Sequence, residues 1–551
     1  MKHAYSRAYR RVELRPLAAD ELESMRILRN ARSQFFVHSQ PLEAEAQVAW
    51  YDRYLRSPND YMFSVYHVGT GQWIGAVGIY DVDSATGNAE FGRLLIDKSR
   101  VNENGLGTDA TICACDIAFS QLGVRRVVLE VYEDNFAAIQ TYLRSGFRPY
   151  GEMTDAAGKK MTQMELCRKE DAKMATIQVL KPKFHIDECL EQVRECLEKG
   201  WTGSGFKTAE LETKWKEYTG HPNACFLNSN TSGLHLAVNI LKRRYGWKDG
   251  DEIISTPITF VATNHAIMYE NMKPCFADVD EYLCLDPVDV EKKINDKTRA
   301  IAFVGYGGRV GQLEKIIEIC KKHDLRLILD AAHMAGTRVN GVFPGTWDGV
   351  DVTVYSYQAV KNLPTGDSGM ICFADKDMDA ECRMVSWMGI NKDTYSRTSN
   401  QGTYKWNYGV DYLGFKYNGN AIMAGIALAQ LPYLDEENAY RRKLCGIYDE
   451  VFAKNPNIRI IDAPHRDECA FHIYEIVVPD REALLSELAK NDIYGGVHYR
   501  DNTEFSMYTY AQGTCPVAHE VTQHLITMPL HLYLSEDDVR RIADIVNRFV
   551  K

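Results

Sequence analysis

The chain has 551 residues, 45% of them hydrophobic and 25% charged, with a formal net charge of −11. That length exceeds what one core supports and points to several folding units, and without a dense Lys/Arg run the chain lacks the face needed to track phosphate backbones, so no nucleic-acid partner is expected. The basic start "MKHAYSRAYRRVELRPL" lacks the apolar stretch of a secretion signal, no apolar run reaches membrane-spanning length, and the 14 cysteines lack paired CxxC spacing. The expectation is a cytoplasmic protein with reduced core thiols, no membrane partner and no metal site.

From Val12 to about Cys167 the chain reads as one α+β domain, assigned to residues 1–172 with the charged connector "RKEDAKMA" at its end. "YMFSVYHV" and "QWIGAVGIYDV" alternate as paired antiparallel strands about a "GTG" turn. "TDATICACDIAFSQL" and "FAAIQTYLRSG" read as amphipathic helices, the second stopped by Gly146, with Cys113 and Cys115 on different faces of the first. "NENGLGTDA" follows the strand "EFGRLLID" and opens a helix; its glycines let successive amides point into one concavity suited to a pyrophosphate, whereas Glu103 would oppose a phosphate if it faced inward. In "VYEDNFAAIQTYLRSGF", Asn135 caps a helix and Tyr142 lies two turns along it, where a phenol can protonate a departing thiolate. On these residues alone, a plain turn and a packed tyrosine stay open.

Strand, glycine turn, helix, strand, then Asn…Tyr…Gly-Phe resembles the GNAT family of acetyl-CoA-dependent acetyltransferases, particularly its branch that acetylates protein N-termini and small amines. The resemblance implies that Gly105, Gly107 and Thr108 hold the coenzyme A pyrophosphate, that Asn135 contacts this cosubstrate, and that Tyr142 is the general acid. Family members often carry Arg or Gln where this chain has Asn102. Glu90, on the strand before the glycine turn, is the candidate base, with a solvated strand carboxylate as the alternative.

Residues 173–551 form the second predicted domain. Short apolar strands, "DEIIST", "KPCFADV", "RAIAFVG", "RLILD" and "VTVYS", alternate with helices, which implies a mostly parallel sheet between helical layers, with functional groups at the carboxyl ends of the strands. A smaller subdomain is expected from about residue 406, ending in the capped amphipathic helix "SEDDVRRIADIVNRFVK". Asp330 and Ser356 each close a strand at one sheet edge and Lys361 follows there, while Thr231, Ser232 and Gly233 stand at the mouth of a helix able to hold a phosphate. An amine that binds covalently, an acid that keeps a ring nitrogen protonated and a phosphate cradle are the parts needed for pyridoxal phosphate.

With those residues assembled, the segment from about Thr176 to Lys551 resembles the DegT family of sugar aminotransferases, which have the fold type I architecture of pyridoxal phosphate enzymes. The resemblance gives Lys361 the covalent role, Ser356, Thr231 and Ser232 the phosphate, Phe260 stacking on the cofactor ring, Asp330 the ring nitrogen and His333 a ring-side contact. "KGWTGSGF", with Thr202, matches the family's opening segment, and His498 and Tyr499 in "GGVHYRDN" face the substrate on this reading. "LGFKYNGNAIMAGIALAQL" resembles the segment by which a partner subunit reaches the phosphate, which implies a homodimer and a role for Lys416. The chain departs from the family at Asn230, where a glycine is usual, and at Gly419, where relatives often have methionine. Relatives with histidine in place of the lysine become dehydratases, so Lys361 favours transamination.

The combined expectation is an α/β bifunctional enzyme that transfers an amino group, from L-glutamate, to a nucleotide-linked keto-deoxysugar and then acetylates that amine with acetyl-CoA. Two other arrangements stay open: an acetyltransferase with an unrelated acceptor, and an inactive binding or oligomerisation module.

Overall fold

The computed structural model describes residues 2–33, 40–101, 103–155, 158–168, 176–390 and 408–551. The chain divides into two compact units, Met1–Ala175 and Thr176–Lys551, each with its own sheets and cores. Among the described residues, no helix is long and apolar enough to cross a membrane.

In the first unit β1 (Arg7–Tyr9), β2 (Val12–Pro16), β3 (Tyr61–His67), β4 (Trp73–Asp83), β5 (Asn88–Ile96), β6 (Arg126–Tyr132), β7 (Arg148–Thr154) and β8 (Lys160–Cys167) form one sheet in the order β1-β2-β3-β4-β5-β6-β8-β7. Period-two alternation sends Met62 and Ala76 to one face, where they pack with Leu22, Met25 and Tyr54 of α1 (Leu22–Asn30) and α2 (Ala44–Arg56). Phe63 and Val77 point to the other face, into a core with α3 (Leu106–Gln121) and α4 (Phe136–Arg144). Helix α3 is not amphipathic: Ala110, Thr111, Cys113, Ala114, Cys115, Ile117 and Ala118 are all buried, because the helix lies against β1, β2, β4, β5 and α4 at once. Cys113 and Cys115 therefore occupy different faces that are both inside, as free thiols.

The second unit is built on a seven-stranded sheet in the order β11-β10-β12-β13-β14-β15-β9. Strands β10 (Glu252–Ser255), β11 (Lys273–Phe276), β12 (Thr298–Val304), β13 (Arg326–Asp330) and β14 (Val352–Ser356) pair in parallel, while β15 (Gly369–Phe373) runs antiparallel between β14 and β9 (Asn223–Leu227). Asp330 pairs with Val354, so the ends of β13 and β14 finish two residues apart at one edge. After α5 (Ile186–Glu198) and α6 (Phe206–Thr219), helix α7 (Asn230–Tyr245) starts beside them, directly after β9. Helix Ala421–Gln430 packs on the helices Ile186–Glu198 and Phe206–Thr219, and its Ala424 and Ala427 join the large core. A second core, around the small sheet of Arg459–Ile460, Tyr474–Val477 and Leu525–Met528, draws on Ile177 and on residues from Leu444 onward. The last helix, Glu536–Phe549, is capped by Ser535 and Asp538 in reciprocal hydrogen bonds and buries Val539, Ile542 and Val546 in that core.

Candidate functional site

In the second unit the chemistry gathers at the β13/β14 edge. Asp330, 4% exposed, takes the Thr263 hydroxyl on Oδ2 at 2.7 Å, and on Oδ1 the Ala332 N–H at 3.1 Å and Asn230 Nδ2 at 3.4 Å. Burial pushes this carboxyl above its usual range, against those hydrogen bonds. Lys361 lies five residues beyond Ser356 and its amine is brought down to about 8 by burial, with the Asp330 charge opposing that fall. At pH 7 about a tenth of the amine is therefore neutral, and in either form it can donate to an adjacent lone pair.

That lone pair belongs to His472, whose Nε2 lies 3.3 Å from Lys361 Nζ. Asn362 donates through Nδ2 to Asn438 Oδ1 at 2.8 Å and to the Ala470 carbonyl at 2.9 Å, which leaves its Oδ1 facing His472 Nδ1 at 3.1 Å. An amide oxygen only accepts, so Nδ1 carries the ring proton and Nε2 is left to accept from the lysine. His333 is fixed similarly: Nδ1 accepts the Gly307 N–H at 3.1 Å, and Nε2 donates to Tyr499 Oη at 3.1 Å. Burial first, and the Lys361 charge second, keep both rings well below the ordinary histidine range and thus neutral. His498 is held at about 4 for the same two reasons, with Nδ1 3.0 Å from Thr527 Oγ1.

The helix mouth beside this cluster is capped by Ser229, whose Oγ accepts the Ser232 N–H at 3.1 Å and lies 2.7 Å from Ser232 Oγ. Asn230 sends its side chain inward to Asp330 and to the Val354 carbonyl at 3.2 Å, so the residue standing where a glycine is usual ties the helix start to the strand ends. Gly369 admits that approach, since a Cβ there would stand 2.7 Å from Asn230 N. Thr231 is in the first turn and Ser356, 5% exposed, closes β14. Phe260 is 61% exposed with its ring 6.2 Å from that of Tyr499. The Thr202 carbonyl accepts the Ala421 N–H at 3.0 Å. Lys416 rests its ammonium over the Trp387 indole, 3.0 Å from the ring centre. A buried amine, a buried carboxylate and a hydroxyl-lined helix N-terminus form a donor set that fits pyridoxal phosphate.

In the first unit the β5–β6 ladder is short: Asn88–Glu90 pair with Arg126–Val128, although the strands run on to Ile96 and Tyr132. The strands thus fork beyond Glu90. Its carboxylate accepts the Tyr80 hydroxyl at 2.7 Å and is raised chiefly by burial. Gly105, at φ 85°, precedes α3 without a side-chain cap, which leaves the first-turn amides of the helix without a side-chain acceptor. Gly107 lies against Ile96, Leu94 and Thr141, where a Cβ would be 3.6 Å from the Thr141 methyl, and Thr108 follows in the same turn. Glu103 is drawn to His67 at 3.4 Å and Arg11 at 3.9 Å, and Arg11 also donates to the Asn104 carbonyl at 2.6 Å. Asn102 lies outside the described residues. Asn135 is the N-cap of α4, accepting the Ala138 N–H at 3.3 Å. Tyr142 packs edge-on to Phe91 at 5.7 Å, and burial pushes its phenol up to about 12, so it holds its proton.

Residues 184–547 match the sequence profile of the DegT/DnrJ/EryC1/StrS aminotransferase family. The chain belongs to that family. Residues 11–148 match the acetyltransferase (GNAT) domain. This DegT-family chain is 31% identical over 377 residues to a spore coat polysaccharide biosynthesis protein of Bacillus subtilis, covering 66% of this chain and 95% of the relative. It is 28% identical over 364 residues, 65% of this chain and 92% of the relative, to a dTDP-4-dehydro-2,3,6-trideoxy-D-glucose 4-aminotransferase of Saccharopolyspora spinosa. A Streptococcus pneumoniae protein solved in its PLP form aligns with TM-score 0.61 and 26% identity over 68% of this chain and 98% of its own. The protein is an aminotransferase that uses pyridoxal phosphate, joined to an acetyltransferase that uses acetyl-CoA.

Four residues of the aminotransferase cluster lie outside the motifs named from the sequence. Thr263 lies one helical turn past Phe260, and Ser229 opens a Ser-x-x-Ser capping pattern, so both carried a local signal. His472 and Asn362 carried none: a histidine in the apolar run "CAFHIYEIVV" reads as core until the fold brings it to Lys361, 111 positions away.

Proposed function

We propose that the chain makes an acetamido sugar in two steps: residues 173–551 transaminate a nucleotide-linked keto-deoxysugar with L-glutamate as donor, and residues 1–172 acetylate the new amine. The observation that carries this is the Lys361–Asp330–Ser232 constellation on the same chain as an acetyltransferase fold. The names of the relatives, a polysaccharide biosynthesis protein and a nucleotide-sugar aminotransferase, support the substrate class.

When bound, pyridoxal phosphate supplies an aldehyde that takes up an amino group and a ring that draws electrons from the carbon losing a proton. Lys361 would hold the cofactor covalently and, once its amine is freed, would take and return that proton, with His472 orienting it. Asp330 would meet the ring nitrogen, Thr231, Ser232 and Ser356 would hold the phosphate, and Phe260 and His333 would line the ring. Thr202, His498 and Tyr499 face the sugar, and Lys416 reaches the phosphate of a second subunit in a homodimer. In the acetyltransferase, Gly105, Gly107 and Thr108 hold the pyrophosphate and Asn135 contacts coenzyme A. Glu90 takes a proton from the incoming ammonium; the freed amine attacks the thioester carbon, the C–S bond breaks, Tyr142 gives its proton to the departing thiolate, and the second proton shed by the new amide nitrogen returns Tyr142 to its neutral form.

The test supplies L-glutamate, a nucleotide keto-deoxysugar and acetyl-CoA, and analyses products by mass spectrometry. The expected result is an acetamido sugar nucleotide that vanishes in Lys361→Ala and stops at the free amine in Tyr142→Phe. Acetylation of other amines alone would assign the first unit an unrelated acceptor, and none at all would make it a binding module.

A further inference from the structure

Helix α7 carries a buried polar group that none of these roles uses. His235 stands one turn past Ser232 and is 6% exposed; its Nε2 lies 2.8 Å from Glu270 Oε1 and its Nδ1 3.1 Å from Tyr417 Oη. A carboxylate only accepts, so Nε2 carries a proton, and Nδ1 shares a hydrogen bond with the Tyr417 hydroxyl. Glu270 Oε1 also takes Asn239 Nδ2 at 2.9 Å, one turn further along α7, which holds the carboxylate in place. The ring is thus oriented from both sides.

Tyr417 is where this relay meets the cradle. Its carbonyl accepts the Asn228 N–H at 2.8 Å and its own N–H donates to the Ser386 carbonyl at 2.9 Å. Asn228 in turn accepts the Ser232 hydroxyl on Oδ1 at 2.5 Å and donates from Nδ2 to the Lys416 carbonyl at 3.3 Å. One asparagine therefore joins residues 416–417 to the hydroxyl at the helix mouth.

We propose that His235 is a positioning residue: through Tyr417 it holds residues 416–417 against Asn228, and so preforms the phosphate subsite at the start of α7. This rests on the reading of that helix start as the phosphate site. Without the relay the subsite must be ordered when the phosphate arrives, which weakens binding of the phosphate and of nothing else.

Tyr417→Phe isolates the effect, because phenylalanine keeps the ring and its stacking on Phe415 at 4.9 Å and deletes only the hydroxyl. Apoprotein is titrated with pyridoxal phosphate and with pyridoxal, which lacks the phosphate, following the absorbance of the bound aldehyde, and its unliganded Tm is recorded. Affinity for pyridoxal phosphate falls about fivefold, as expected for one hydrogen bond, while pyridoxal affinity holds and the unliganded Tm drops by a few degrees at most. Glu270→Gln, which still accepts from Nε2, stays near wild type. Equal weakening for both aldehydes, unaltered affinity for pyridoxal phosphate, or a loss in Glu270→Gln as large as in Tyr417→Phe would overturn the proposal. A wild type that takes up both aldehydes equally would instead remove the phosphate reading itself, and the proposal with it.

Discussion

The depressed amine of Lys361 makes cofactor uptake by the apoprotein a direct probe of its surroundings. Only a neutral amine adds to an aldehyde, so the uptake rate follows the deprotonated fraction. With the amine at about 8 rather than 10.5, about a tenth of it is neutral at pH 7 against about 0.03% for an ordinary lysine, a rate advantage of about 300-fold. Stopped-flow absorbance across pH 6.5 to 10 should give a rate rising with pH and levelling just above a midpoint of about 8. Burial lowers the amine while the Asp330 charge raises it, so Asp330→Asn should move the midpoint lower still. A midpoint nearer 10.5 than 8, or one raised by Asp330→Asn, would refute the argument that burial sets this group.

Other consequences are open to measurement. Tyr142→Phe should lower kcat for acetyl transfer by about 100-fold with acetyl-CoA affinity unchanged, as steady-state kinetics and equilibrium binding would report. Gly369→Ala should destabilise the unit by about 1–3 kcal/mol and weaken pyridoxal phosphate binding, because its Cβ meets Asn230 N at 2.7 Å; urea unfolding and cofactor titration check both. Arg309 and Glu475 form an ion pair at 2.9 Å with both side chains 0% exposed. Arg309→Met alone should cost about 3–5 kcal/mol and the double variant with Glu475→Leu distinctly less, as read by urea unfolding.

Much of the architecture was legible because it rests on local patterns. The five predicted strands of the second domain carry near-continuous apolar runs, as strands buried on both faces must, and the β3–β4 hairpin alternates about its glycine turn. Strand β15 carries no such signal, since "GMICF" is a short apolar run like any other and its antiparallel sense depends on a distant partner, β9. Helix α3 departs from the amphipathic expectation because its apolar residues encircle it, and periodicity cannot reveal a helix packed on both sides. Within the candidate site, Lys361, Asp330 and the helix mouth fall in motifs with fixed spacing, whereas His472, Asn362 and the His235 relay are products of tertiary folding. Asn230 belongs between these cases: the departure was visible, but its inward bond to Asp330 needed coordinates.

Because both folded units are parts of a single polypeptide, translation of one message delivers two catalysts in a ratio that no promoter, degradation rate or dilution can alter. A cell that doubles one doubles the other. Under the proposed two-step sequence, the slower turnover then sets the flux through the pair.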